Sequence, residues 1–203
     1  MLIASYNKAQ LGDILVVMLH EDGPSQVTKK KDTIVEISDS SDGTVLGYNF
    51  FGVGEELGLT ATGQIKLDDE QVKILNAKLR EAGFETILEI DEMPKFVVGL
   101  VEEMIEHPDS DHLHITKINL GNEILQIVCG APNIMQGQLV VVAKVGAMMP
   151  NGEIIWPGKL RGIESNGMVC SARELHLPNA PQKRGILVLS LDNFHQGQPF
   201  LIS

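Results

Sequence analysis

The chain has 203 residues, 43% of them apolar and 21% charged, a formal net charge of −11 and two cysteines. That is the composition of an ordinary globular protein. Its longest apolar runs, 139–143 and 186–189, fall far short of the ~20 residues of a membrane helix, so no membrane role is expected. The first residues show no basic segment followed by an apolar one, so a cytoplasmic location is expected. Cys129 and Cys170 are then expected to be reduced and structural. The charge is uneven: residues 1–92 carry −9 and residues 93–203 carry −2.

In chain order, residues 14–19 (Ile-Leu-Val-Val-Met-Leu) predict a buried strand. Residues 33–37 and 44–48 predict two more, the second after a turn at Ser41-Asp42-Gly43. Lys29-Lys30-Lys31 reads as a solvated hairpin tip. From Asp68 to Ala82 the period changes, and Val72, Leu75, Leu79 and Ala82 recur at helical spacing. Asp68 and Gln71 have the spacing of a capping box, and Gly83 is a stop. Together these segments predict a small α+β domain spanning 1–92, closed by the polar stretch Glu89-Ile90-Asp91-Glu92-Met93-Pro94.

The second domain, 93–203, reads as strands. Residues 96–101 open it. Leu113, Ile115, Ile118 and Leu120 follow with a one-residue slip that predicts a bulge. Gly121-Asn122 predicts a tight hairpin into residues 124–128. Residues 139–145, 168–170 and 186–189 complete the set. Short strands punctuated by Gly, Pro and Asn predict a small closed barrel, making the whole chain mostly β.

Three stretches could carry chemistry. His107-Pro108-Asp109-Ser110-Asp111-His112 offers carboxylates and imidazoles, but its spacing matches no regular metal motif and a turn is the better reading. Cys129 could be a nucleophile only with a base and a lowered pKa, and a small core residue is the simpler reading. Residues 159–171 say most. Lys159 and Arg161 alternate, so in an extended segment they share a face suited to phosphates. Ser165 and Asn166 add short hydrogen-bonding groups, and Met168 could pack on a base or ribose or fill the core. On chemistry alone, a solvated hairpin reads the same way.

These residues also carry a resemblance. Residues 96–200 resemble the tRNA-binding domain of the bacterial phenylalanyl-tRNA synthetase β chain, stand-alone structure-specific tRNA-binding proteins and the C-terminal domain of many methionyl-tRNA synthetases. The matching runs are His107-Pro108-Asp109-Ser110-Asp111, Gln126-Ile127-Val128-Cys129-Gly130-Ala131-Pro132-Asn133, Lys159 through Met168, and Cys170-Ser171. With the acidic α+β domain in front, the chain is similar to the free-standing YtpR-type tRNA-binding-domain proteins. The resemblance implies a five-stranded OB-fold barrel that docks on the folded corner of tRNA. It implies Lys159, Arg161, Ser165, Asn166, Met168 and Ser171 as the binding motif, with Lys144 and Asn133 in neighbouring segments. It implies no catalysis and no cofactor.

After residue 92 the only aromatics are Phe96, Trp156, Phe194 and Phe200, too few for a base-stacking single-strand binder. Recognition of folded tRNA by shape and backbone fits better. The rival reading is a protein-interaction module whose acidic domain docks on a ribosomal protein or a synthetase, with a homodimer among the arrangements expected. A thiol enzyme is a third reading, and no assembled motif supports it.

Overall fold

The computed structural model describes residues 1–202 and divides into two compact units, Met1–Glu92 and a second beginning at Met93. The first unit contains β1 (Ile3–Tyr6), a short α1 (Lys8–Leu11), β2 (Ile14–Met18), β3 (Gln26–Lys31), β4 (Ile34–Asp39), β5 (Val45–Phe51), β6 (Gly63–Ile65) and α2 (Asp69–Glu81). Its strands form one antiparallel sheet in the order β3-β4-β5-β2-β1-β6.

Alternation along the strands turns Ala4, Tyr6, Leu15, Val17, Ile34, Tyr48 and Phe50 into one core. The helix supplies Val72, Leu75 and Leu79 to the same core. Its start is the capping box read from the sequence. The Asp68 carboxylate accepts from Gln71 N at 2.8 Å, and Gln71 Oε1 accepts from Asp68 N at 3.0 Å.

β1 and β6 were not expected, being short and without clear alternation. Lys29, Lys30 and Lys31 are the last residues of β3, where it turns through Asp32 and Thr33 into β4, and Lys29 and Lys30 are exposed. Lys31 Nζ donates to the Gly83 carbonyl at 2.5 Å and lies 4.5 Å from the centre of the Phe84 ring.

The second unit contains β7 (Phe96–Glu106), β8 (His114–Asn119), β9 (Ile124–Cys129), β10 (Leu139–Ala143), β11 (Gly158–Leu160), β12 (Ile163–Ser165), β13 (Met168–Val169) and β14 (Val188–Leu189). The sheet order is β13-β10-β7-β8-β9, with β14 on β10. Asn166 N donates to the Gln126 carbonyl at 2.9 Å, which brings the β12–β13 segment against β9. The result is a nearly closed five-stranded barrel, an OB-fold.

Every residue of β10 is buried. Val140 and Val142 face one apolar cluster with Val97, Ile118, Ile127 and Val169. Leu139, Val141 and Ala143 face another with Val98, Ala147, Cys170 and Leu175. This explains why β10 is an unbroken apolar run.

The expected bulge is present but on the other strand. The β7–β8 register passes from Val101↔Ile118 to Glu103↔Lys117, leaving Glu102 as the extra residue on β7. The slip read on β8 itself has another cause: Thr116, Ile118 and Leu120 alternate inward, and the buried Thr116 hydroxyl donates to the Ile127 carbonyl at 2.7 Å. No helix among the described residues is long and apolar enough to cross a membrane.

Candidate nucleic-acid interface

The cationic motif is a short hairpin, β11–β12, in register Gly158↔Ser165, Lys159↔Glu164 and Leu160↔Ile163. Arg161 and Gly162 form its two-residue turn, with φ of 45° and 83°. Positive φ at both positions is the type I′ turn, whose twist matches that of the flanking strands and which glycine adopts freely. Arg161 therefore leaves the extended segment, and the expectation that it shares a strand face with Lys159 is corrected. Lys159 stays on the strand, with Nζ 3.7 Å from Glu164 Oε1 and both side chains well exposed. Arg161 Nη1 donates to the Asp109 carbonyl in the β7–β8 loop. Nearby, a hydrogen bond from His112 holds the Asp111 carboxyl below its usual range, and the Arg161 charge adds to the effect.

Several residues expected to touch RNA make bonds inside the fold. Ser165 is 5% exposed, and its hydroxyl accepts from Val128 N at 3.1 Å, pinning β12 to β9. Beside it, Gln126 Nε2 donates to the Glu164 carbonyl at 2.9 Å. Asn133 is fastened to one backbone unit, donating to the Ile186 carbonyl at 3.0 Å and accepting from Ile186 N at 2.8 Å. Ser171 and Glu174 cap each other's backbone N–H, at 2.7 Å and 3.2 Å. The half-buried Lys144 is ion-paired to Glu123 at 2.5 Å. Asn166 is half-buried. Met168 is half-buried at the edge of a groove.

That groove brings together residues the sequence reading passed over. It is made of two adjoining hollows: Arg173 and Arg184 line both, and Lys183 lines the one without Leu160. All three are exposed, and Arg173 and Lys183 have no ion pair among the described residues. Leu113, Leu160, Met168 and Ile186 make it partly apolar, and Leu160 joins it to the Lys159–Arg161 hairpin. The internal fasteners place these cations. The Ser171–Glu174 cap sets the turn that carries Arg173, and Asn133 holds the backbone just beyond Lys183-Arg184.

Gly185 completes this support. Its φ is +149°, and a Cβ there would stand 2.6 Å from Asn133 Oδ1. The available signal was two adjacent cations followed by a glycine in a proline-marked loop, Pro178 to Gly185. No aromatic ring lines the groove among the described residues. Cys129 borders it, with burial pushing its thiol pKa up, and burial pushes that of Cys170 up to about 12. Neither is poised as a nucleophile.

Comparison with known proteins places these features. Residues 96–197 match the family described as "Putative tRNA binding domain", and residues 21–91 match a domain of unknown function (DUF4479). The chain is 44% identical over 198 residues to the "Putative tRNA-binding protein YtpR" of Bacillus subtilis, covering 97% of this chain and 98% of that protein. It is 51% identical over 105 residues to the phenylalanine–tRNA ligase beta subunit of Oceanobacillus iheyensis, covering 52% of this chain but 13% of the subunit. The corresponding subunit of Campylobacter jejuni is 47% identical over 105 residues, again 52% of this chain and 14% of the subunit.

Proposed function

This chain belongs to the tRNA-binding-domain family, and from that premise we propose that its barrel binds folded tRNA by shape and backbone, without chemistry of its own. The observation that carries the reading is the set of five exposed cations, Lys159, Arg161, Arg173, Lys183 and Arg184, along one hairpin and the groove beside it. Phosphates meet Arg173, Lys183 and Arg184, with Lys159 and Arg161 at the hairpin end. Leu160 and Met168 offer aliphatic surface to a ribose or an unpaired base. A groove without rings suits a folded RNA read through its backbone better than a strand of stacked bases. The buried, unbridged cysteines support a reducing, cytoplasmic setting.

Filter binding with bulk tRNA over a salt series tests this. With three to five phosphate contacts, log K falls against log[salt] with a slope of about −2 to −4. Arg173→Ala and Arg184→Ala each weaken binding and make the slope shallower by about 0.7–0.9. Salt-independent binding, or full affinity in both variants, refutes the interface.

A second reading is favoured by the −9 carried by residues 1–92: docking of the acidic unit on a basic partner such as a ribosomal protein or a synthetase. It predicts capture of that partner by the full chain in the absence of RNA.

A further inference from the structure

The β7–β8 loop, His107 to His112, meets the tip of the β11–β12 hairpin. His107 is 3% exposed. Its Nδ1 accepts from the Asp109 N–H at 3.1 Å, so the ring proton sits on Nε2. Nε2 lies 3.3 Å from the Leu160 carbonyl, 53 residues away in sequence. Two residues after His107, the Asp109 carbonyl accepts from Arg161 Nη1. The loop holds its own shape through Ser110, whose hydroxyl accepts from Leu113 N at 3.3 Å. Leu160 and Arg161 are the tip of the β11–β12 hairpin.

A hairpin of two three-residue strands does not hold its shape alone in water. Gln126 and Ser165 hold its base on β9. Among the described residues, His107 and Asp109 hydrogen-bond its tip.

We propose that His107 is a positioning residue for RNA binding: its Nε2–H bond to the Leu160 carbonyl fixes the hairpin tip, so Lys159 and Arg161 meet the RNA already in place. This rests on the reading that the hairpin contacts RNA. Ordering a mobile segment at the moment of binding costs affinity, and the clasp meets that cost during folding.

Two substitutions in the full chain separate the ring nitrogens. His107→Asn sets an amide oxygen near the Nδ1 position, where it can accept from Asp109 N–H, but is too short to reach Leu160. His107→Gln sets an amide donor near the Nε2 position and restores the bridge. Hydrogen exchange of the peptide spanning 158–165 and tRNA affinity are measured for both, below the unfolding transition.

In the Asn variant, exchange is expected to speed up and affinity to fall, each about five- to tenfold, as for loss of one hydrogen bond. The Gln variant is expected to return both to within about twofold of the parent. Unchanged hairpin exchange in the Asn variant overturns the clasp, whatever the RNA does. Loss in both variants alike makes His107 a packing residue and also overturns it. Faster exchange with unchanged tRNA affinity overturns the RNA role while leaving the groove reading to the Arg173 and Arg184 variants.

Nitrogen-15 spectra of the parent chain's histidines decide independently of folding in the variants. A bare Nδ1 and protonated Nε2 on His107 are required, and the opposite tautomer refutes the proposal.

Discussion

Ser165 shows how a polar residue in a binding motif can be held inside the fold. Its hydroxyl accepts the Val128 N–H across 37 residues of sequence. Ser165→Ala leaves that buried N–H without a partner, at a cost of about 1–3 kcal/mol, which lowers Tm by several degrees. Well below the transition, its tRNA affinity should fall less than that of Arg173→Ala. Thermal unfolding and filter binding on the same preparations check this. A Ser165→Ala chain that unfolds like the parent yet loses binding makes the hydroxyl a direct RNA contact. Asn133 follows the same logic, its amide fastened to Ile186 so that Lys183 and Arg184 flank the groove.

Among elements, β3 separates two meanings of a lysine run. Lys29 and Lys31 lie on the same face of the strand as the Phe84 ring, at 5.8 and 4.5 Å from its centre. Lys31 also donates to the Gly83 carbonyl just past α2, where a helix end presents unsatisfied carbonyls and partial negative charge. Lys31→Ala is expected to destabilise the first unit by about 1 kcal/mol through the lost cap and cation–ring contact, and to leave tRNA affinity nearly unchanged. Denaturant unfolding and filter binding measure the two effects. A fall in affinity without a fall in stability assigns the run to RNA.

At the scale of the whole molecule, charge is divided between the units. Residues 1–92 carry −9 of the −11, while the exposed cations of the groove belong to the second unit. Negative charge tethered to an RNA-binding module slows encounter with a polyanion, and the effect fades as salt shortens the Debye length to ~10 Å at 0.1 M. Each unit has its own apolar core. A fragment beginning at Met93 is therefore expected to bind tRNA more tightly than the whole chain at low salt, with the gap closing as salt rises. A fragment weaker at every salt concentration shows that the first unit contributes contacts. Sedimentation of the fragment and the whole chain beside the binding series separates this from avidity lost with a dimer.

The sequence by itself determined whatever depends on period and neighbours along the chain. Val72, Leu75 and Leu79 marked α2, Asp68 and Gln71 marked its start, and the strand runs of the second unit marked a barrel, because helix and strand periods are local properties. The spaced motifs from His107 to Ser171 located the binding half. Tertiary structure alone decided which polar residues face outward. Nothing near Ser165 in the sequence announces Val128, and nothing near Asn133 announces Ile186, since those partners lie 37 and 53 residues away. Arg161 looked like a strand residue until the two-residue turn claimed it. Arg173, Lys183 and Arg184 were visible as letters, but only the path of the chain brings Arg173 and Arg184 to line one hollow with Leu160 of the hairpin, and Lys183 to line the hollow adjoining it. A site made of separate loops exists only once the barrel is closed, because closure sets the distances between residues that the sequence leaves far apart.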